Sequence, residues 1–160
     1  LFKRMKNSPY IFYEVSNFAK PDKRCRHNEN YWKTREYIAF GASASGYVDG
    51  IRYTNYNDIN KYCESVASGN IPRITVEKID AEKKCMEYIM LSLRTVEGLD
   101  YNILSKLLLN SDNLNKVQRE LRFFIDKGFL NKNGLYYSCT VEGFLILDCI
   151  IQKLVDTLKF

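Results

Sequence analysis

The sequence lacks any apolar run near the roughly 20 residues that a membrane-spanning helix needs. Its longest candidate, residues 144–155, is interrupted by Asp148, Gln152 and Lys153. It also lacks the pattern of a secretory signal peptide, which is a charged start, then an apolar core, then a cleavage site with small residues. These absences lead us to expect a cytoplasmic protein. Because the chain begins at Leu1 rather than Met, we expect it to be a fragment of something longer.

Histidine and tryptophan are scarce, with one residue of each. A single histidine cannot form a multi-histidine metal site, and no Ser-His-Asp order can be argued from it. The cysteines are odd in number, and their spacing matches no zinc or redox motif. We therefore expect free thiols, as is usual in a reducing cytosol. They are Cys25, Cys63, Cys85, Cys139 and Cys149.

The excess of positive charge lies at one end of the chain. The formal net charge is +5, and residues 1–36 account for all of it with nine Lys/Arg against four Asp/Glu. Residues 75–160 contain twelve residues of each sign. DNA affinity depends mainly on phosphate neutralisation, so this balance argues against DNA binding by that region.

The first half of the chain has weak structural signals. Residues 10–19 are rich in aromatic and β-branched side chains, which predicts a strand. Residues 20–36 are predicted to be a loop, and residues 37–48 a short buried strand that leads into a small-residue loop. Arg52–Asn55 is predicted to be extended. A helix capped by Asn57 or Asp58 follows and runs to Ala67, before a linker at residues 68–72.

The second half has clearer signals. Asp80, Asp100 and Thr140 are predicted helix caps, and Asp112 or Asn113 is predicted to open a third helix. The pair Asn133-Gly134 predicts the turn of a β-hairpin between that helix and the last one. Three helices, a two-stranded wing and a fourth helix predict a winged-helix-like domain. Lys116, Arg119 and Arg122 lie on its third helix.

The only His and the only Trp of the sequence both lie in residues 25–32, within the basic stretch. A neutral imidazole is a good ligand for iron, and His27 and Tyr31 would be neighbours on a helix. The Trp32 ring suits the face of a macrocycle. Nearby cations suit its propionates, namely Arg24, Arg26 and Lys33. The alternative is a capped loop in which His27 and Trp32 only pack against the domain.

Small residues follow Phe40 in the run of residues 41–46. Such residues let a ligand approach the backbone closely, which is compatible with a nucleotide or cofactor pocket. The run is neither a dinucleotide-binding glycine motif nor a P-loop. A tight connection between two elements explains it equally well.

Several segments together resemble one known family. They are residues 13–19 (YEVSNFA), the pattern His-Asn-x-x-Tyr-Trp at residues 27–32, and residues 37–42 (YIAFGA). Later segments follow in the family order. They are Arg52-Tyr53-x-Asn55, Gly69-x-x-Pro72, Leu91-x-Leu93-Arg94-x-x-Glu97-Gly98-Leu99 and Thr140-x-x-Gly143. The chain resembles radical SAM proteins of the oxygen-independent coproporphyrinogen III oxidase-like family, in its HemW heme-chaperone branch.

The resemblance implies an α+β fold. Residues 1–70 would be the last strands of a partial TIM-like radical SAM barrel, and residues 71–160 the mostly helical, winged-helix-like C-terminal domain. Family members bind S-adenosylmethionine at a 4Fe–4S cluster held by Cys-x-x-x-Cys-x-x-Cys. This chain has no such triplet. The cluster ligands would therefore lie in the parent protein, and the chain alone would not be an enzyme.

The resemblance also implies site residues. In the heme-chaperone branch the His-Asn-x-x-Tyr-Trp motif is implicated in heme binding, which assigns this role to His27, Asn28, Tyr31 and Trp32, with His27 as the iron ligand. Phe40, Gly41 and Ala42 would border the S-adenosylmethionine pocket. Many members carry a histidine in the following loop, and residues 44–46 here contain none.

Three functions compete on this basis. The first is a heme chaperone that delivers heme to acceptor hemoproteins. The second is an oxygen-independent coproporphyrinogen III oxidase, and the third is a winged-helix DNA-binding module. We also expect self-association of the fragment, and membrane-surface contact through the basic N-terminal stretch.

Overall fold

The computed structural model describes residue 5 and residues 7–108 and 110–158 of a mixed α/β protein. The described strands are β1 (Ile11–Glu14), β2 (Asn17–Ala19), β3 (Ser45–Val48), β4 (Ile51–Asn55), β5 (Arg73–Lys78), β6 (Leu99–Asp100), β7 (Leu130–Asn133) and β8 (Tyr136–Cys139). The described helices are α1 (Arg26–Trp32), α2 (Ile59–Ala67), α3 (Ala81–Ser92), α4 (Tyr101–Leu107), α5 (Ser111–Asp126), α6 (Val141–Leu145) and α7 (Leu147–Asp156).

The chain divides into two compact units. The first unit joins the described residues up to Thr34 with those from Ala81 onward, and the second is Arg35–Asp80. The predicted boundary between residues 70 and 71 therefore falls inside the second unit. The physical reason is that β5 follows this linker and pairs with β4, which precedes it.

The described strands form three separate sheets, with orders β1-β2, β3-β4-β5 and β6-β8-β7. Every pairing among them is antiparallel. A TIM-like barrel is built from parallel strands, so the predicted barrel remnant is not confirmed. Within the described residues, no helix has the length and apolar character needed to cross a membrane.

In the described part of the first unit, a hairpin takes the place of the one long strand that was predicted. β1 and β2 pair with Phe12 opposite Phe18. The chain turns because the buried Glu14 carboxylate accepts a hydrogen bond from the backbone N–H of Ser16 at 2.9 Å and another from the Asn17 side chain. The single strand predicted over residues 10–19 is therefore wrong, and the reason is this side-chain-stabilised turn.

This hairpin is joined to the segment that follows α3. The backbone N–H of Val15 donates to the carbonyl of Arg94 at 2.8 Å, and that of Val96 donates to the carbonyl of Tyr13 at 3.2 Å. Glu14 and Thr95 form an isolated antiparallel bridge between these two bonds. Two stretches far apart in sequence are thus hydrogen-bonded to each other within one unit.

The core of the first unit lies among its C-terminal helices. α3, α4, α5 and α7 contribute apolar stripes, as the helical spacing predicted. Their fully buried side chains include Cys85, Ile89, Leu104, Val117, Leu121, Ile150 and Leu154. Burying a side chain of this size contributes about 1.5–3 kcal/mol, so this cluster is the main source of the unit's stability.

Most predicted helix caps are confirmed. The Asp100 carboxylate accepts from the backbone N–H of Asn102 at 2.8 Å, and the Thr140 hydroxyl accepts from that of Gly143 at 3.0 Å. The third helix begins earlier than predicted. Asn110 caps it by accepting from the backbone N–H of Asp112 at 2.8 Å.

The predicted hairpin is confirmed as β7 and β8, but its two turn residues are Gly134 and Leu135, one position later than predicted. β6 adds an unpredicted third strand, with Leu99 opposite Tyr137. Gly98 precedes β6 with a φ of 75°, and a Cβ there would lie 2.1 Å from the Tyr137 carbonyl oxygen. Glycine is therefore the residue that lets β6 approach β8.

The second unit consists of the β3-β4-β5 sheet and α2. Asp58 caps α2 by accepting from the backbone N–H of Lys61 at 3.0 Å, which confirms one of the two predicted caps. The sequence predicts a strand followed by a loop over residues 37–48. The structure shows the opposite order, because the only regular strand described in this segment is β3, at its end. Its early part is irregular, and the Phe40 side chain there is 83% exposed.

Candidate functional site

Helix α1 lies in the segment predicted to be a loop. It follows Cys25, which has extended backbone angles and makes no side-chain capping bond. The Cys25 backbone N–H instead donates to the Tyr13 hydroxyl at 3.4 Å. Thr34, with a φ of 52°, lies just beyond its C-terminal end. The helix buries no residue completely, so the sequence has no apolar stripe that would have revealed it.

The predicted motif lies entirely on α1, and its members occupy different sides of the helix. His27 and Tyr31 are one turn apart, with ring centroids at 4.8 Å and planes at 89°. This confirms that the four-residue spacing makes them neighbours. His27 is exposed, whereas Asn28, Tyr31 and Trp32 are half-buried.

The other side of α1 faces a cavity within the first unit. Glu29, Trp32 and Lys33, which share one side by their spacing, line it. The cavity has a volume of about 370 Å³, and its remaining wall comes from Tyr13, Thr34, α3, α4, β8 and the segment before α4. The indole nitrogen of Trp32 is buried and has no hydrogen-bond partner among the described residues. Trp32 therefore faces into the unit and not toward the exposed imidazole.

Arg24 connects the start of α1 to the C-terminal part of the unit. Its guanidinium donates to the Glu97 carboxylate and lies 3.7 Å from that of Glu29. It also lies 5.4 Å from the centre of the Tyr13 ring. The hydrogen bond to Glu97 is the main cause that raises the Arg24 pKa above its ordinary value. Arg24 is thus engaged within the protein.

The other two cations proposed for propionate binding differ from each other. Lys33 lies 4.0 Å from the Glu29 carboxylate, in an ion pair one turn apart on the helix. Arg26 is exposed and forms no ion pair within the described part of the chain. Of the three, Arg26 is the cation most available to an external anion.

Several residues of the family-like motifs have structural roles. Arg94 lies beside Asp148, with Nη2 to Oδ1 at 3.1 Å, while its carbonyl binds the N-terminal hairpin. A Cβ at Gly143 would lie 2.0 Å from the Phe129 carbonyl oxygen. Glu97 accepts a hydrogen bond from Arg24, and the backbone of Gly98 closely approaches the Tyr137 carbonyl.

Phe40, Gly41 and Ala42 lie in the second unit, on a loop fixed by polar side chains. The amide of Asn55 donates to the Gly41 carbonyl at 3.0 Å, and the Gly41 N–H donates to the Tyr62 hydroxyl at 3.0 Å. The Tyr53 hydroxyl accepts from the N–H of Ala39 at 3.1 Å. These contacts explain the Tyr53-x-Asn55 spacing, which sequence reasoning left without a role.

The described residues contain no cluster of metal-binding side chains. No group of three or more His, Cys, Asp or Glu side chains within them has an arrangement that could hold a metal ion. Cys25, Cys63 and Cys149 are exposed, whereas Cys85 and Cys139 are buried, and all five are free thiols. An iron–sulfur cluster does not fit this arrangement.

The fold of this chain is also found in a solved structure. It matches the solved structure of the coproporphyrinogen III oxidase HemN from Escherichia coli, described as a radical SAM enzyme, with a TM-score of 0.71 and 15% identity. The match covers 98% of this chain and 39% of that protein. At this identity it shows a shared fold. No family model matches the chain.

Two curated relatives are similar to this chain in sequence. The heme chaperone HemW of Mycobacterium tuberculosis is 28% identical over 153 residues, which cover 95% of this chain and 37% of the relative. That of Synechocystis is 31% identical over 125 residues, covering 76% of this chain and 30% of the relative. The resemblance to the HemW branch is therefore confirmed over most of the chain. The chain spans well under half the length of these relatives.

Proposed function

We propose that the chain is the C-terminal part of a heme chaperone related to radical SAM enzymes, and that α1 is its heme-contacting element. The observation that carries this proposal is the exposed imidazole of His27, on a helix whose other side packs into the first unit. The similarity to proteins named heme chaperone HemW supports it.

The residues of α1 fit this role. A neutral imidazole nitrogen is a common ligand of heme iron, and His27 is accessible to a bulky macrocycle. The edge-to-face contact with Tyr31 restricts the orientation of the imidazole. Arg26 provides an uncommitted guanidinium for a propionate carboxylate. Arg24 contributes differently, because its pairing with Glu97 holds the beginning of α1 in place.

Asn28 and Trp32 complete the proposed site with different roles. Asn28 follows His27 directly and is half-buried. Trp32 lines the cavity behind the helix. We infer that Trp32 fixes α1 against the first unit instead of stacking on the heme ligated by His27. The motif thus combines a ligand on one side of the helix with an anchor on the other.

The remaining roles belong to the proposed parent protein. S-adenosylmethionine and the 4Fe–4S cluster would be held outside this chain, with Phe40, Gly41 and Ala42 at the edge of that pocket. The β7–β8 hairpin and its helices would form a winged-helix-like domain, and the strands that precede α3 would be a remnant of the parent's barrel. Acceptor hemoproteins, a cytoplasmic location, self-association and membrane contact are further parts of the proposal. Of the basic stretch, Lys3, Arg4 and Lys6 lie outside the described residues.

Hemin titration tests the proposal, with the Soret band as the signal. The chain is compared with its His27→Ala and Cys25→Ser variants, since the exposed Cys25 thiol is the neighbouring alternative iron ligand. We expect His27→Ala to lose the Soret shift and to bind hemin about tenfold or more weakly, as loss of a coordinating group implies. Cys25→Ser should leave the spectrum unchanged. Because His27 is exposed, its removal should leave the urea midpoint unaltered.

Two results would contradict this assignment. Equal affinity and equal spectra for the unsubstituted chain and for His27→Ala would show that His27 is not the ligand. A spectrum lost in Cys25→Ser but retained in His27→Ala would assign the iron to the thiolate. Transfer of hemin to the apo form of a hemoprotein then tests delivery separately from binding.

A further inference from the structure

A second concave surface lies between α5 and the β7–β8 hairpin. It has a volume of about 510 Å³ and shares no lining residue with the cavity beside α1. Arg119, Arg122 and Asp126 reach it from one face of α5, at spacings of three and four residues. Lys132 reaches it from β7. We call this surface the basic groove.

Charge is concentrated in the basic groove. Its lining contains three cations, Arg119, Arg122 and Lys132, and one carboxylate, Asp126. None of these four side chains forms an ion pair within the described residues. Residues 75–160 as a whole contain equal numbers of acidic and basic residues. The groove is therefore a local positive patch on an otherwise balanced region.

The floor of the groove is apolar. Tyr137 is 4% exposed and belongs to the hydrophobic core, and Ile125 packs against the same core. The Lys132 ammonium lies 5.5 Å from the centre of the Tyr137 ring. An arginine guanidinium binds a carboxylate through two parallel hydrogen bonds, and does so more strongly beside apolar surface than in open water. The groove thus combines arginine forks with a floor that accepts a neighbouring apolar side chain.

We infer that the basic groove binds an acidic segment of a partner protein, in which carboxylates alternate with apolar side chains. The carboxylates would pair with Arg119, Arg122 and Lys132, and the apolar side chains would lie over Ile125, the half-buried apolar residue of the lining. Nucleic acid fits less well. Its affinity grows with the number of phosphates neutralised, and this groove offers only three cations with a carboxylate among them. The inference does not depend on heme binding.

The test measures the fluorescence anisotropy of a short labelled peptide of alternating Glu and Leu, titrated with the full chain at low salt. A peptide with Gln in place of every Glu is the ligand control. The groove variant is Arg119→Gln with Arg122→Gln. The protein control is Lys127→Gln with Lys153→Gln, which removes the same charge from the same unit outside the groove lining. Circular dichroism checks that each variant is folded.

We expect each lost arginine to weaken binding by about tenfold, and the control variant to change it by less than about twofold. Three outcomes would overturn the inference. The first is that the Glu peptide does not bind the unsubstituted chain. The second is that both double variants weaken its binding equally. The third is that the Gln peptide binds as tightly as the Glu peptide. A labelled single-stranded oligonucleotide that binds more tightly, and is weakened by the groove variant alone, would make the surface a nucleic-acid site.

Discussion

The close approach of β6 to β8 can be tested with a single methyl group. Gly98 has a φ of 75°, and a Cβ there would lie 2.1 Å from the Tyr137 carbonyl oxygen and 2.7 Å from the Ser138 Cα. Both neighbours are backbone atoms of a paired strand, so neither can rotate away. Gly98→Ala should therefore carry two penalties, one for the left-handed backbone and one for the steric overlap.

Gly128 separates the two penalties. Its φ is 77°, almost the same as that of Gly98, and no atom lies within 4 Å of its ideal Cβ. The backbone penalty is about 1–2 kcal/mol and applies to both glycines. Overpacking adds about 1–3 kcal/mol, and it applies to Gly98 alone. The expected loss in unfolding free energy is thus about 2–5 kcal/mol for Gly98→Ala and about 1–2 kcal/mol for Gly128→Ala.

Urea unfolding followed by tryptophan fluorescence measures this difference. The only tryptophan, Trp32, lies in the first unit together with both glycines, so its emission reports on that unit. With a urea slope of about 1–3 kcal/mol per molar, the two midpoints should differ by about 1 M. Equal midpoints for the two variants would show that β6 does not approach β8 as described. A changed slope without a lower midpoint would contradict the reasoning as well.

Three further predictions concern other parts of the chain. Thr140→Ala should lower the unfolding free energy by about 1 kcal/mol, while Thr140→Ser retains the capping hydroxyl and most of the stability. Gly46→Ala should disrupt the second unit, visible as loss of amide-exchange protection in β3 and β4, because its Cβ would lie 2.3 Å from the Tyr53 ring; preserved protection would contradict this. Burial raises the pKa of Cys85 to about 11 and of Cys139 to about 12, from an ordinary value of 9.0. These thiols bind protons more tightly when folded, so the stability they contribute is complete below pH 9. It falls as the pH rises toward 11 for Cys85 and toward 12 for Cys139, by about 1.4 kcal/mol per pH unit for each thiol. A thiol reagent at neutral pH should modify three cysteines rapidly in the folded chain and two only after unfolding, and rapid modification of all five would refute the burial; the rapid ones are Cys25, Cys63 and Cys149.

The features predictable from the sequence are the local ones. Asp58, Asp100 and Thr140 cap helices through atoms two or three residues away, and Gly134 opens the two-residue turn that follows Asn133. Each of these contacts depends on a short window of sequence. The N-terminal hairpin was missed because its turn depends on a buried carboxylate, that of Glu14, in a stretch otherwise rich in aromatic and β-branched side chains.

The non-local features could not be predicted from one sequence. β6 is two residues long, and only its partner β8 makes it a strand. Helix α1 lacks both an apolar stripe and a side-chain cap. Its His27–Tyr31 contact followed from helical spacing, whereas the cavity behind Trp32 depends on residues about 50 to 100 positions later. The resemblance suggested a role for the motif, and the structure shows that His27 is exposed whereas Trp32 lines a cavity within the unit.

The pairing of Glu14 with Thr95 has a consequence for the order of events in folding. About 80 residues separate these partners, and all of the second unit lies between them. During synthesis the N-terminal hairpin emerges long before the segment around Thr95 that pairs with it, while every element of the second unit is already available. We expect the second unit to form first, which shortens the loop that must close and lowers its entropic cost. The first unit then assembles late, and its slowest step should be the return of the chain to its own beginning.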